Sequence, residues 1–163
     1  MERVVVDRLV LTGASGPVGR CRDFVRGALS ARSWLDVGAD DDALAHPALA
    51  DPVFDAAVAD RRALVEDVVL MTSELVTNAC QHAGGPVELT VSDAGRRLRV
   101  EVVDASPQPP RLRPLTTASR PGGHGLRVVQ ALACRWGSEA RPAGKAVWFE
   151  VSRPGTGRVE AIG

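Results

Sequence analysis

The sequence predicts an α+β fold, a two-layer sandwich in which helices cover one face of a mixed, largely antiparallel sheet. Apolar residues recur at helical spacing in some segments and alternate with polar residues in others, where they indicate β-hairpins. The repeated β-α-β units and phosphate-binding glycine motifs of a Rossmann or P-loop domain do not occur. The 163 residues are therefore expected to form one domain over residues 1–153, followed by a flexible tail at 154–163.

A strand and a helix are predicted at the start of the chain. The strand covers "RVVVDRLVLTG", and the helix "PVGRCRDFVRGALSARSWL" begins with Pro17, which suits a first helical turn. The apolar stripe of this helix comprises Val18, Cys21, Phe24, Val25, Ala28 and Leu29. Residues 36–57, rich in Ala and Asp, are either a loop or a short peripheral helix.

A long helix and a hairpin are predicted next. The helix runs from about Ala63 to Ala83, and the two glycines that follow supply its C-terminal stop. The segment "PVELTVSDAGRRLRVEVVDA" alternates with period two around the turn "DAG", which indicates an antiparallel hairpin with one buried face. Prolines then prevent regular structure between Ser106 and Pro121.

The last predicted elements are a helix and a closing hairpin. The helix lies in "GGHGLRVVQALACRW" and is entered through glycines. Its buried side chains are predicted to be Leu126, Val129, Leu132 and Ala133. The hairpin "WGSEARPAGKAVWFEVS" completes the sheet and buries Val147, Phe149 and Val151.

The composition excludes several classes of protein. Twenty basic and twenty acidic residues cancel, so no net field recruits nucleic acid or a membrane surface. The sequence has no run of about 18 apolar residues, and its acidic start makes a poor signal peptide. Cys21, Cys80 and Cys134 fall in apolar helical patterns, where each free thiol is expected to act as a small buried hydrophobe. Unpaired cysteines favour the reducing cytoplasm.

Polar side chains form a row on the long helix. Glu74, Asn78 and His82 follow one another at intervals of four, so they share one helix face. The row is either an exposed polar stripe or the wall of a site. In a site, the amide oxygen of Asn78 would suit Mg²⁺, which keeps several waters and can be held by one amide oxygen together with phosphates. A neighbouring carboxylate could then orient or deprotonate a hydroxyl nucleophile.

Two further segments could contact a ligand. Asp104 ends a predicted strand, where its carboxylate either accepts a hydrogen bond from an exocyclic amine such as that of adenine or starts a turn. The segment Gly122–Leu126 lies where a loop enters a helix, so its backbone amides could hold phosphate. His124 within it is either a loop residue or a catalytic one.

Taken together and in order, these segments resemble a known family. Residues 64–151 resemble the GHKL superfamily of ATP-binding domains, which have the Bergerat fold. The nearest resemblance is to its anti-sigma factor serine/threonine kinase branch, the RsbW/SpoIIAB-like proteins of actinobacterial type. The segments that carry this resemblance are "SELVTNACQHA", "VVDASPQPP", "GGHGLRVVQALACRWG" and "GKAVWFEV".

The resemblance implies ATP and Mg²⁺ as cofactors and assigns a role to each segment. Glu74 would be the catalytic base or the carboxylate that positions water, Asn78 would bind Mg²⁺, and Asp104 would receive the adenine amine. Gly123 and Gly125 would frame the phosphates, and the remaining nucleotide contacts would come from His82, Ser106, Pro107, His124 and Leu126. Residues 106–121 would form a lid over the nucleotide, with Arg111, Arg113 or Arg120 meeting the γ-phosphate.

The sequence also departs from the family pattern. Ala146 stands where a threonine is usual, which predicts the loss of one polar contact around the adenine and of roughly 1 kcal/mol of binding free energy. The proline-rich lid lacks glycine, so its closure is expected to be stiff. Residues 36–60 are longer than the usual connection and are predicted to be an insertion that alters partner docking.

The resemblance implies a serine kinase that would phosphorylate a STAS-domain anti-sigma antagonist, regulate a sigma factor and form a homodimer. An alternative is a non-catalytic regulatory module that binds a partner with or without nucleotide. The catalytic module of a histidine kinase is disfavoured because the short chain shows no phosphoacceptor helical hairpin.

Overall fold

The computed structural model describes residues 3–34, 52–112 and 125–154. Within these ranges the chain forms three helices and five strands. In chain order they are β1 (Val5–Val10), α1 (Pro17–Ala31), α2 (Pro52–His82), β2 (Pro86–Asp93), β3 (Arg97–Asp104), α3 (Gly125–Leu132), β4 (Arg135–Arg141) and β5 (Gly144–Ser152). The predicted α+β class and both predicted hairpins are confirmed.

The five strands form one sheet in the order β1-β2-β3-β5-β4. Every neighbouring pair in the described sheet is antiparallel, so the sheet is not mixed. Short turns join β2 to β3 and β4 to β5, as antiparallel geometry allows. Helix α3 intervenes between β3 and β4, and β5 then returns to pair with β3. This return brings the end of β3 beside the start of β5.

All three helices pack on one face of the sheet, and the core lies between the two layers. Alternate residues of the three central strands point into this core because side chains alternate across a strand. These inward residues are Leu89, Val91, Leu98, Val100, Val102, Val147, Phe149 and Val151, all of them buried. The opposite face carries charged pairs, for example Arg99 with Glu139 at 2.8 Å and Arg141 with Glu101 at 2.7 Å. The sheet is thus apolar on the helix side and ionic on the other.

The long helix is longer than predicted. It begins at Pro52 instead of about Ala63, because Ala and Arg sustain a helix without needing the buried stripe that the apolar spacing detects. The undecided segment 36–57 therefore contributes its last residues to α2, whereas residues 35–51, including most of the predicted insertion, lie outside the described residues. The tail beyond residue 154 lies outside them as well.

Helix α1 ends earlier than predicted, at Ala31. The backbone N–H groups of Arg32 and Trp34 both donate to Leu29 O, which closes the helix and turns the chain back. The Trp34 ring is buried as a result, and its Nε1 donates to Asp93 Oδ2 at 2.9 Å. The predicted burial of Leu132 is also wrong, because this last residue of α3 is exposed.

Two of the three cysteines are not buried. Cys21 lies in the core, and burial raises the pKa of its thiol to about 11. Cys80 and Cys134 are exposed, contrary to the prediction. Cys134 follows the end of α3 and pairs with β5, so the apolar helical pattern does not extend to it. In the part of the chain that the structure describes, no helix is long and apolar enough to cross a membrane.

Candidate functional site

A cavity of about 380 Å³ lies between α2, α3, the ends of β3 and β5, and the segment after β3. Helix α2 contributes Leu75, Asn78, Ala79 and His82, at the spacing of a single helix face. The rest of the wall is made by Val102, Asp104, Ser106, Gln108, Pro109, Pro110, Arg111, Leu112, Gly125, Leu126, Lys145 and Val147. The cavity therefore combines apolar walls with a few polar groups, as small-molecule sites do.

The polar row on α2 divides at this cavity. Asn78 is half-buried and lines it, and His82 lines its exposed rim. Glu74 is half-buried but lies beside the cavity, where its side chain packs against Gly125. A methyl group at Gly125 would fall 2.5 Å from Glu74 Oε2, so only glycine leaves this carboxylate its present place. The row is thus neither a solvated stripe nor one continuous wall.

Asp104 is the acidic group of the cavity. It is only 4% exposed at the end of β3, where Oδ1 accepts the backbone N–H of Ser106 at 2.9 Å. The same oxygen accepts a hydrogen bond from Lys145 Nζ at 2.8 Å, and Nζ also lies 3.4 Å from Ser106 O. The carboxylate therefore forms the turn that the sequence allowed, and it is also part of a buried ion pair that the sequence analysis did not predict. Its hydrogen bond with an exocyclic amine stays a prediction.

Lys145 is a buried charged residue of the cavity that the sequence analysis missed. It lies directly opposite Asp104 in the pairing of β3 with β5 and is buried with it. The signal was present in "GKAVWFEV", because Lys145 shares the period-two phase of Val147 and Phe149. Knowing that the lysine also meets Asp104 requires the pairing of these two strands.

The expectation that Ala146 costs a polar contact with the adenine is wrong, and the reason is again the pairing of the strands. Ala146 pairs with Val103 on β3 and Glu139 on β4, and it does not line the cavity. Its side chain points to the ionic face of the sheet, since it alternates with Lys145 and Val147. A threonine there could not contact a ligand in the cavity. The polar group at this wall is supplied one position earlier, by Lys145.

Gly144 brings the start of β5 close to Asp104. Its φ of 151° lies in a region that residues with a side chain rarely adopt, and a methyl group would overlap the backbone oxygen of Asp104. Glycine at this position therefore allows Lys145 to reach the carboxylate.

The remaining predicted site residues divide into three groups. Ser106, Gly125 and Leu126 line the cavity, as does the exposed Arg111 of the predicted lid. Pro107 is exposed and is not part of the wall. Gly123, His124, Arg113 and Arg120 lie outside the described residues. Residues 105–112 have no regular secondary structure, as the prolines predicted.

The antiparallel sheet, the helices on one face and the cavity at the end of β3 define a Bergerat-type ATP-binding domain. Comparison with protein families supports this class: residues 39–151 match the histidine kinase-like ATPase domain. This match covers more than half of the chain, so the protein belongs to the histidine kinase-like ATPase family. Membership implies that it binds ATP and acts in ATP-dependent phosphotransfer. No curated protein matches the chain.

Proposed function

We propose that the protein is a Mg²⁺-dependent serine/threonine kinase of the anti-sigma factor type. The observation that carries the proposal is the cavity itself, in which a buried carboxylate and an amide lie on facing elements, with Glu74 beside the cavity against Gly125. Its volume and its apolar walls suit a heteroaromatic base, and Asp104 offers that base an acceptor for an exocyclic amine.

The donor set of the cavity fits magnesium. Asn78 lines the cavity and its side-chain amide has an oxygen, and Mg²⁺ needs only one or two protein oxygens when it also holds phosphates. Asn78 would therefore hold the ion between α2 and the triphosphate. Gly125 and Leu126 begin α3, and their backbone amides would hold phosphate oxygens at its N-terminus.

Glu74 would serve the transfer step. A serine hydroxyl of the partner attacks the γ-phosphorus, the new O–P bond forms, and the bond to the β-phosphate oxygen breaks to release ADP. Glu74 accepts the hydroxyl proton. This role requires the carboxylate to turn from Gly125 toward the cavity when the nucleotide and partner bind.

The present placement of Glu74 also supports a second candidate. In a non-catalytic regulator, ATP would bind and change the affinity for a partner without phosphoryl transfer. The carboxylate packed against Gly125, outside the cavity wall, favours this candidate.

The proposed partners are a STAS-domain antagonist that carries the acceptor serine, a sigma factor, and a second copy of this chain. The exposed valines of the edge strand β1 support the homodimer: Val6 is 52% exposed and Val10 is 64% exposed. An unpaired strand edge with apolar side chains is a common surface for self-association.

Thermal unfolding with and without Mg-ATP tests the nucleotide site. Ligand at about 100 times its dissociation constant should add about 2.7 kcal/mol, which raises the unfolding midpoint by roughly 5 to 11 °C. Asn78→Ala should lose most of this rise, whereas Gln81→Ala, an exposed position on the same helix, should keep it. If the wild type shows no rise with millimolar Mg-ATP, the proposal fails.

Labelled ATP then separates the two candidates. Wild-type protein incubated with γ-labelled ATP and a STAS-domain partner should label a serine of the partner, and Glu74→Gln should abolish labelling while retaining the thermal shift. Binding of ATP and partner without any transfer of label would favour the non-catalytic regulator.

A further inference from the structure

The buried pair of Lys145 and Asp104 has unused hydrogen-bonding capacity. An ammonium group has three N–H donors. Lys145 Nζ donates one hydrogen bond to Asp104 Oδ1 and a second, longer hydrogen bond to Ser106 O. Among the described residues no partner takes the third donor. Lys145 lines the cavity although its side chain is only 8% exposed.

The carboxylate has complementary capacity. Both hydrogen bonds that the structure gives to Asp104 end on Oδ1. Among the described residues Oδ2 therefore remains available to an incoming donor. At the wall of the cavity an acceptor, Oδ2, thus lies next to a donor, Nζ. A ligand can use both without breaking the ion pair.

We propose that Lys145 is a specificity-determining residue, which together with Asp104 recognises adenine and distinguishes it from a 6-oxopurine. Asp104 Oδ2 accepts a hydrogen bond from the 6-amino group of the purine, and Lys145 Nζ donates a hydrogen bond to the neighbouring ring nitrogen N1. Adenine offers this donor and acceptor in this order, whereas a 6-oxopurine offers them reversed. This inference rests on the proposed nucleotide site and adds a residue to it.

The energetic role of the lysine follows from its burial. A buried carboxylate is costly unless it is paired, and Lys145 offsets that cost at Asp104. Hydrogen bonds that involve a charged group contribute more than neutral ones. The same ammonium therefore keeps the acceptor in place and contributes a strong bond of its own.

Nucleotide analogues test this role in the unmodified protein. Dissociation constants are measured for ATP, 1-deaza-ATP and 7-deaza-ATP, each with Mg²⁺. Replacing N1 by C–H should weaken binding on the order of 10- to 100-fold, because it removes the acceptor of a charged donor. Replacing N7 is the matched control: it alters the ring away from this edge, so 7-deaza-ATP should bind like ATP.

The variant Lys145→Met completes a double-mutant cycle. Its absolute affinity falls because Asp104 loses its partner, but the ratio between ATP and 1-deaza-ATP should approach one. If wild-type protein binds ATP and 1-deaza-ATP equally, this inference is overturned while the nucleotide site stands. If Lys145→Met weakens ATP but not adenosine, Lys145 contacts phosphate and the inference is overturned too. If no adenine nucleotide binds, the proposed function fails first, and this inference with it.

Discussion

Gly125 and Glu74 approach each other closely beside the candidate site. Substituting Gly125→Ala should displace the Glu74 carboxylate, because the new methyl group would lie 2.5 Å from Oε2. The displaced atom ends a flexible side chain, so the unfolding midpoint should change little. Partner phosphorylation should fall at least several-fold, because the methyl group narrows the space in which the carboxylate turns toward the cavity. Gly19→Ala, which meets open space on α1, is the matched control. If Gly125→Ala labels the partner as well as the wild type does, the space around the Glu74 carboxylate is not what requires glycine at this position.

The three cysteines should differ in reactivity. The thiolate is the reactive form, and burial raises the pKa of Cys21 to about 11, so its thiol stays protonated at pH 8. Cys80 and Cys134 are exposed and should react with a thiol reagent in the folded protein. Mass spectrometry after labelling should find Cys21 modified only in denaturant. Equal labelling of Cys21 in the folded protein would contradict its burial.

At the scale of elements, the contact between β3 and β5 depends on Gly144. Gly144→Ala combines an unfavourable φ with overlap of the Asp104 backbone, which should lower the free energy of unfolding by roughly 2 to 4 kcal/mol. Gly13→Ala is the control, since its φ of 71° is unfavourable but a methyl group there would meet nothing. Urea denaturation should show the larger loss for Gly144→Ala. Equal losses would mean that φ alone matters.

An ion pair on the ionic face of the sheet links strand β4 to strand β3. A hydrogen bond from Arg99, with further attraction from Arg141, lowers the pKa of Glu139 below its ordinary value of 4.5. A carboxyl whose pKa is lower in the folded state stabilises it above its unfolded pKa and loses that effect as pH falls through the folded value. Unfolding midpoints measured from pH 7 downwards should therefore show a weaker acid dependence below about 4.5 in Glu139→Gln. A parallel pH profile would show that the pair adds no stability.

At the scale of the whole molecule, one core joins all the described elements. Phe149 is fully buried on β5, between Val100 on β3 and Trp136 on β4. Phe149→Ala should lower the free energy of unfolding by about 3 to 5 kcal/mol, whereas Val10→Ala, which is 64% exposed, should change it by less than about 0.5 kcal/mol.

The same variant tests whether the protein is one domain. Circular dichroism and tryptophan fluorescence should report one shared transition in urea, and its midpoint should fall in both signals. Two separate transitions would contradict a single folding unit.

The sequence by itself determined the fold class, the hairpins and the helix face that carries Asn78. These features are local, because each follows from the period of apolar residues within one segment. The same reasoning located Asp104 and the irregular segment after it. It misplaced the start of α2, where helix propensity continues without an apolar stripe, and it buried Cys80 and Cys134, whose exposure depends on which neighbours cover them.

Only the tertiary structure decided which residues meet at the site. Lys145 and Asp104 are 41 positions apart, and they form a pair because β5 turns back from the edge strand β4 and lies between it and β3. The strand pairing also placed Ala146 on the far face of the sheet, away from the cavity. Periodicity shows that alternate residues share a face. Which face covers the cavity, and what lies opposite, depends on the register between distant strands.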